Sequence, residues 1–66
     1  MMKYYVNNKA QLTGEHEVHT ANCGFLPSDR KYLGEFNNCD DAVKEAKKTY
    51  TKVDGCYYCC NSCHKK

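Results

Sequence analysis

The alternation of hydrophobic and polar residues predicts three short β-strands in the first part of the chain. A β-prone run of aromatic and branched residues lies at 3–7, an alternating segment at 15–19, and a further run at 32–36. Alternation with a period of two is typical of strands that bury one face. Turn-forming residues occupy 20–31, which we therefore expect to be a loop. The first two strands are expected to form a hairpin within a short antiparallel sheet.

The segment after the third strand predicts a single amphipathic helix. Its apolar residues recur at spacings of three and four, which places them on one helix face. They are Cys39, Ala42, Val43, Ala46 and Tyr50. Asn38 is suited to cap the first turn, where the acids Asp40 and Asp41 favour the positive end of the helix dipole. We predict a helix over 39–51 that is stopped at Gly55.

Composition indicates a single small α+β domain over residues 1–66 whose core needs additional support. Leu, Val and Phe together number nine, and there is no Ile or Trp. Chains shorter than about 70 residues rarely gain enough stability from such a core, so they are usually reinforced by disulfides or a metal. The six cysteines are the evident candidates for that role. A chain of this size also leaves no room for a large catalytic pocket.

The N-terminal residues favour a metal over disulfides as the reinforcement. The chain turns polar after six residues, so it shows neither the apolar stretch of a signal peptide nor a membrane span. We therefore expect a cytoplasmic protein, in which thiols are kept reduced. Cysteine pairs at ligand spacing are then typical of a metal site. Zinc is the ion that suits sulfur and nitrogen ligands in closed tetrahedral geometry.

Two short spacings supply a complete ligand set. A His-x3-Cys pair, His19 and Cys23, ends the second predicted strand, and a Cys-x2-Cys pair, Cys56 and Cys59, follows the predicted helix. A Cys-x2-Cys turn brings two sulfurs to one ion, and a His-x3-Cys pair can reach the same ion from a strand end. The spacings predict one structural zinc ion held by three thiolates and one imidazole.

The remaining cysteines leave an alternative open. Spacing also permits a ligand from the C-terminal Cys-rich knuckle, Cys63 or His64, to replace His19. Cys39 lies on the apolar face of the predicted helix and is expected to be a small buried core residue. Cys60 directly follows a predicted ligand, and adjacent residues seldom both point at one ion, so we expect it to be a bystander thiol.

These motifs resemble a known metal-binding domain. Over 16–59 the chain resembles the N-terminal metal-binding domain of the Ada DNA-repair protein and its small relatives. In those relatives a His or Cys stands four residues before a second Cys, a Cys-x2-Cys pair closes the site, and a capped acid-acid-Ala helix follows an aromatic strand end, here 36–42. Over 3–64 it also resembles short bacterial proteins of unknown function that share the patterns His-Glu-Val-His-x3-Cys and Gly-Cys-x-Tyr-Cys. The resemblance implies as zinc ligands His19, Cys23, Cys56 and Cys59.

The resemblance does not extend to the activity of the Ada domain. There a metal-bound cysteine at the first ligand position accepts a methyl group from DNA, and this chain has His19 at that position. The proline expected before the final cysteine pair is Gly55 here. The resemblance therefore implies a structural zinc domain of unassigned cellular role, without methyl transfer.

The charge distribution permits a protein or nucleic-acid partner without requiring one. The formal net charge is +2, and the excess of lysine lies after residue 43. A helix face with Lys44, Lys47 and Lys48 could meet phosphates, while Tyr57 and Tyr58 could stack on bases. The isoelectric point near 8.2 is below that of strongly basic nucleic-acid binders, so a solvated lysine face is the preferred interpretation.

Two further functional classes can be weighed from the sequence. Cys60 and Cys63 would be spare thiols beside the zinc site, which makes a redox- or metal-responsive protein an alternative function. Catalysis is not expected, because the chain has no glycine-rich phosphate loop and no nucleophile elbow. A zinc ion with four protein ligands also has no open position for water.

Overall fold

Four strands, one α-helix and a single 3₁₀ turn form the structure, a computed structural model that describes residues 1–65. Their bounds are β1 Met2–Asn7, β2 His16–Thr20, β3 Arg30–Phe36, α1 Cys39–Ala46, β4 Val53–Gly55 and the 3₁₀ turn Asn61–Cys63. The predicted α+β class is confirmed. The last residue of the predicted domain, Lys66, lies outside the described residues.

The sheet is mixed, with the strand order β3-β1-β2-β4. β1 pairs antiparallel with both β2 and β3, and β4 pairs parallel with β2. The predicted antiparallel sheet of three strands corresponds to β1, β2 and β3. The prediction is wrong in that it lacks β4, which pairs parallel with β2. β4 has only three residues and includes Asp54 and Gly55, two residue types that are depleted in strands. It therefore gives no alternating signal in the sequence.

The helix α1 contacts all four strands and closes a small core. Val6 and Val18 from the sheet meet Ala42 and Ala46 from the helix, and all four are completely buried. The remaining buried members of this cluster are Tyr4, Leu33, Cys39, Cys60 and Cys63. Cysteine therefore supplies part of the apolar core that the scarce aliphatic residues leave incomplete.

The helix begins as predicted and ends earlier. Asn38 caps it by accepting a hydrogen bond from the Asp41 amide at 2.9 Å. The predicted range 39–51 is wrong at its C-terminal end, because the chain leaves the helix after Ala46. Tyr50 instead stacks on His16, with ring centroids 3.7 Å apart. Because the helix ends at Ala46, the following residues can reach β2 and form β4.

Gly55 does not stop the helix as predicted, because the helix has already ended at Ala46. It is the last residue of β4, and the C-terminal segment packs directly on it. A Cβ at this position would lie 2.7 Å from the Cys60 carbonyl oxygen and 2.7 Å from the Cys63 Cβ. Only glycine allows this close approach.

The pairing of β1 with β3 is irregular near its centre. The register shifts between Tyr4 and Tyr5 on β1, and Tyr4 faces Gly34 on β3. Gly34 has a φ of 121°, in the region that side chains disfavour. The sheet edge formed by β3 is therefore uneven. In the described part of the chain, no helix is both long and apolar enough to cross a membrane.

Candidate metal centre

The structure brings together the two predicted ligand pairs. His19 lies near the end of β2, and Cys23 follows in the next turn, where its amide donates to the Thr20 carbonyl at 3.1 Å. The amide of Cys56 donates to the Val18 carbonyl at 3.0 Å, which extends the parallel pairing beyond β4. One donor atom each from four residues lies within 4.8 Å of the others. These four are His19, Cys23, Cys56 and Cys59.

The spacing of these atoms suits a tetrahedral ion. The sulfurs of Cys23 and Cys56 are 3.8 Å apart, and His19 Nδ1 is 3.9 Å from the Cys59 sulfur. With zinc–sulfur bonds of about 2.3 Å, two sulfurs on a tetrahedron are about 3.8 Å apart. The cluster can therefore hold a metal ion, and its mixture of sulfur and nitrogen donors fits zinc.

Backbone amides support the sulfurs. The Thr20 amide donates to the Cys59 sulfur at 3.3 Å, and the Phe25 amide donates to the Cys23 sulfur at 3.4 Å. Hydrogen bonds of this kind favour the thiolate, which is the form that binds metal. Burial opposes them at Cys23, where desolvation is the largest influence and raises the thiol pKa. The thiolate there thus needs a positive partner, which a metal ion provides.

The environment of His19 prepares its ring for coordination. The residue is 2% exposed, and desolvation lowers the pKa of its imidazole. The neutral form, which has a free nitrogen lone pair, is therefore favoured. Nδ1 faces the sulfur cluster, while Nε2 lies 3.7 Å from a carboxylate oxygen of Glu17. This distance is too long for a direct hydrogen bond, so the carboxylate acts on the ring only as a nearby charge.

Glu17 is a neighbour of His19 that the spacing argument did not identify. Its position two residues before His19 on β2 places both side chains on the same face of the strand. This two-residue spacing is visible in the sequence and could have indicated the contact. Desolvation is the largest influence on Glu17 and raises the pKa of its carboxyl group, which is half-buried.

The structure corrects two expectations about Cys39 and Cys63. Cys39 is buried as expected, yet it is bonded to Cys63 in a disulfide that spans 24 residues. Cys63 is therefore not an alternative ligand, and the preference for metal over disulfides is wrong for this pair. Cys39 opens α1 and Cys63 ends the 3₁₀ turn, so only the tertiary fold brings them together.

The two other residues of the knuckle also lie outside the four-residue cluster. His64, the second alternative ligand, has its Nδ1 3.0 Å from the Gly55 carbonyl oxygen and 3.1 Å from Asp54 Oδ2. Cys60 is 2% exposed, with its sulfur 3.9 Å from that of Cys59. Burial raises the pKa of the Cys60 thiol to about 12, so this thiol stays protonated. The Cys60 side chain is part of the hydrophobic core.

Exposed aromatic rings surround the turns that carry the candidate ligands. Phe25 follows Cys23 closely and stacks on Tyr58, with centroids 4.4 Å apart. Tyr57 meets Tyr58 edge-on at 5.2 Å. Each of the three is more than half exposed. We call Phe25, Tyr57 and Tyr58 the aromatic patch.

The predicted lysine face is divided between two environments. Lys48 forms an ion pair with Glu45 at 3.1 Å. Lys44 and Lys47 instead line a groove of about 430 Å³ together with Lys65. The face is therefore not a continuous basic stripe along the helix.

Comparison of the chain with protein-family models, with curated proteins and with solved structures finds no match. The geometry of the described residues is thus the basis for assigning a function.

Proposed function

We propose that this chain is a non-catalytic zinc domain in which a single ion holds the fold together. The observation that carries the proposal is the convergence of His19, Cys23, Cys56 and Cys59 within 4.8 Å. Sulfur and imidazole donors in this number are the typical set of a structural zinc site. When bound, zinc would supply closed tetrahedral coordination that joins the end of β2 to the segment after β4.

A structural role fits the surroundings of the cluster better than a catalytic role. Four protein donors fill the coordination of a tetrahedral ion and leave no position for a reacting water. The N–H···S hydrogen bonds to Cys23 and Cys59 fix the sulfurs in place and reduce their nucleophilicity. The resemblance to the Ada metal-binding domain supports the same ligand set, while His19 at its first position gives no support for methyl transfer.

Metal analysis and chelation test this proposal. Native mass spectrometry of protein purified without reductant is expected to show one zinc ion per chain. Removal of the ion by a strong chelator should collapse the dispersion of amide NMR signals, because metal binding and folding are coupled in small zinc domains. Unchanged spectra in the metal-free protein would contradict the proposal. Restoration of the spectrum by zinc, and not by magnesium, distinguishes the site from nonspecific binding.

The aromatic patch favours a second role, that of an interaction module. Three exposed rings on the loops around the candidate ligands form a surface on which nucleobases could stack. A fluorescence titration with a single-stranded oligonucleotide at low and high salt tests this role. Salt-sensitive binding that is lost in Tyr58→Ala and kept in Tyr32→Ala, an exposed tyrosine on β3, would support it. No binding at micromolar protein would exclude it.

A further inference from the structure

The Cys39–Cys63 disulfide lies beside a groove that the zinc proposal does not use. The groove is lined by Asp40, Val43, Lys44, Lys47, Val53, Cys63 and Lys65. We propose that this disulfide is redox-active and that the groove binds a small anionic thiol, which attacks the sulfur of Cys63. The two cysteines are separate from the four clustered donors, so this proposal does not depend on zinc.

The groove has the charge and size for a small anion. Three lysines line it against the single carboxylate of Asp40, so its local charge is positive. Val43 and Val53 add an apolar wall. Its volume of about 430 Å³ is in the range of small-molecule sites. A thiol that carries carboxylates and a short aliphatic linker matches this combination of charges and apolar surface.

The two sulfurs of the disulfide differ in their surroundings. Cys63 is only 5% exposed and is the disulfide residue that lines the groove, and its sulfur lies 3.4 Å from Asp40 Oδ1. Cys39 does not line the groove; it opens the eight-residue helix α1, and its sulfur lies 3.3 Å from the Ser62 hydroxyl. A helix N-terminus and a hydroxyl donor stabilise a thiolate. A neighbouring carboxylate opposes one.

This asymmetry predicts the direction of thiol–disulfide exchange. The incoming thiolate forms a bond to Cys63, the bond between the two cysteines breaks, and Cys39 leaves as the thiolate, because that charge is the better stabilised. A second thiol then attacks the mixed disulfide on the small-molecule sulfur and releases Cys63. In total two thiols are oxidised to one disulfide, and the protein disulfide gains two electrons and two protons.

Thiol counting is the first test. Protein purified without reductant, then denatured with chelator and N-ethylmaleimide, should carry four adducts, since four of the six cysteines are free. Six adducts that persist after mild oxidation of the folded protein with glutathione disulfide would overturn the proposal at its premise, because Cys39 and Cys63 would then not form a disulfide. This count does not depend on whether zinc is bound, so it separates the proposal from the zinc function.

Trapping identifies the attacked sulfur. The protein is mixed with reduced glutathione, quenched with N-ethylmaleimide and digested with trypsin, which places Cys39 and Cys63 in different peptides. Glutathione is expected on Cys63 and the maleimide on Cys39. The opposite distribution would contradict the predicted direction. Asp40→Asn removes the charge beside Cys63 and should shift part of the glutathione to Cys39.

Kinetics test the basic groove. At equal thiolate concentration, glutathione should react roughly tenfold faster than the neutral thiol 2-mercaptoethanol, and the difference should decrease with added salt. The double variant Lys44→Gln with Lys47→Gln should remove most of this advantage. A matched double variant, Lys48→Gln with Lys52→Gln, changes the net charge equally outside the groove and should keep it. Equal losses in the two variants, or equal rates for the two thiols, would overturn the role of the groove.

Discussion

The C-terminal segment contributes to two cysteine groups of different chemistry, a donor cluster that could hold a metal ion and a disulfide. Cys56 and Cys59 turn toward the end of β2, where they meet His19 and Cys23. Cys63, a few residues later, is bonded to the start of α1. The first group consists of atoms that could bind a metal and accepts amide hydrogen bonds, whereas the disulfide is neutral and lies between the core and the groove. A short segment thus reaches both the end of β2 and the start of α1 in a domain with few large apolar residues.

Cys59→Ser is expected to have the largest effect, because it removes one ligand of the proposed zinc site. Structural zinc can contribute roughly 10 kcal/mol of apparent folding free energy in small domains, so the variant should be largely unfolded. Circular dichroism and zinc content measure the change. The neighbouring Cys60→Ala serves as the control, since it should keep its zinc and lose only about 1–2 kcal/mol of core packing. Loss of zinc in the control as well would show that the Cys60 sulfur is also needed for zinc binding.

Removal of the disulfide should have a smaller effect. Replacing Cys39 and Cys63 together with Ala opens a loop of 24 residues, which corresponds to about 3 kcal/mol of stability. Urea unfolding monitored by circular dichroism gives the difference. Zinc content should stay at the wild-type value, because the donor cluster is intact. Loss of the metal as well would show that the disulfide and the donor cluster do not act independently.

Gly55→Ala tests the close packing of the C-terminal segment on the last residue of β4. The added Cβ would meet backbone and side-chain atoms at 2.7 Å, so we expect a loss of about 1–3 kcal/mol from strain in the close packing. Thermal unfolding is the measurement. Gly24→Ala is the matched control, because a Cβ there has no atom within 4 Å. Equal melting temperatures of the two variants would show that the contact at Gly55 relaxes without cost.

Asn38→Ala is expected to have the smallest effect. The variant removes the cap of the helix on which the disulfide is anchored, at a cost of about 1 kcal/mol. The exposed Asn37→Ala is its control and should be nearly silent. Hydrogen exchange should increase mainly in the first turn of α1, with the amides near the donor cluster unchanged. Uniform acceleration throughout the domain would show that the helix start and the metal cluster respond as one unit.

The sequence allowed the donor cluster to be predicted better than the disulfide. The ligand pairs lie three and four residues apart, so local spacing alone indicates that each pair can share an ion. Cys39 and Cys63 are far apart in the chain and meet only because the segment after β4 turns back over Gly55. No local sequence pattern indicates this long-range contact.

The fold shows the same division between local and tertiary signals. Alternation located β1 to β3, and the cap at Asn38 located the start of α1. The end of the helix was missed because Tyr50 fits the helical apolar pattern yet packs on His16. β4 was missed because its pairing with β2 compensates for residues that disfavour strands.

The uneven edge formed by β3 bears on association between molecules. A free strand edge is a template to which another chain can add by backbone hydrogen bonding. β3 exposes the charged side chains Arg30, Lys31 and Glu35, and its pairing with β1 is irregular around Gly34. Both features disfavour a further strand at this edge. The charged and irregular β3 edge thus disfavours association of two copies of this domain by strand addition.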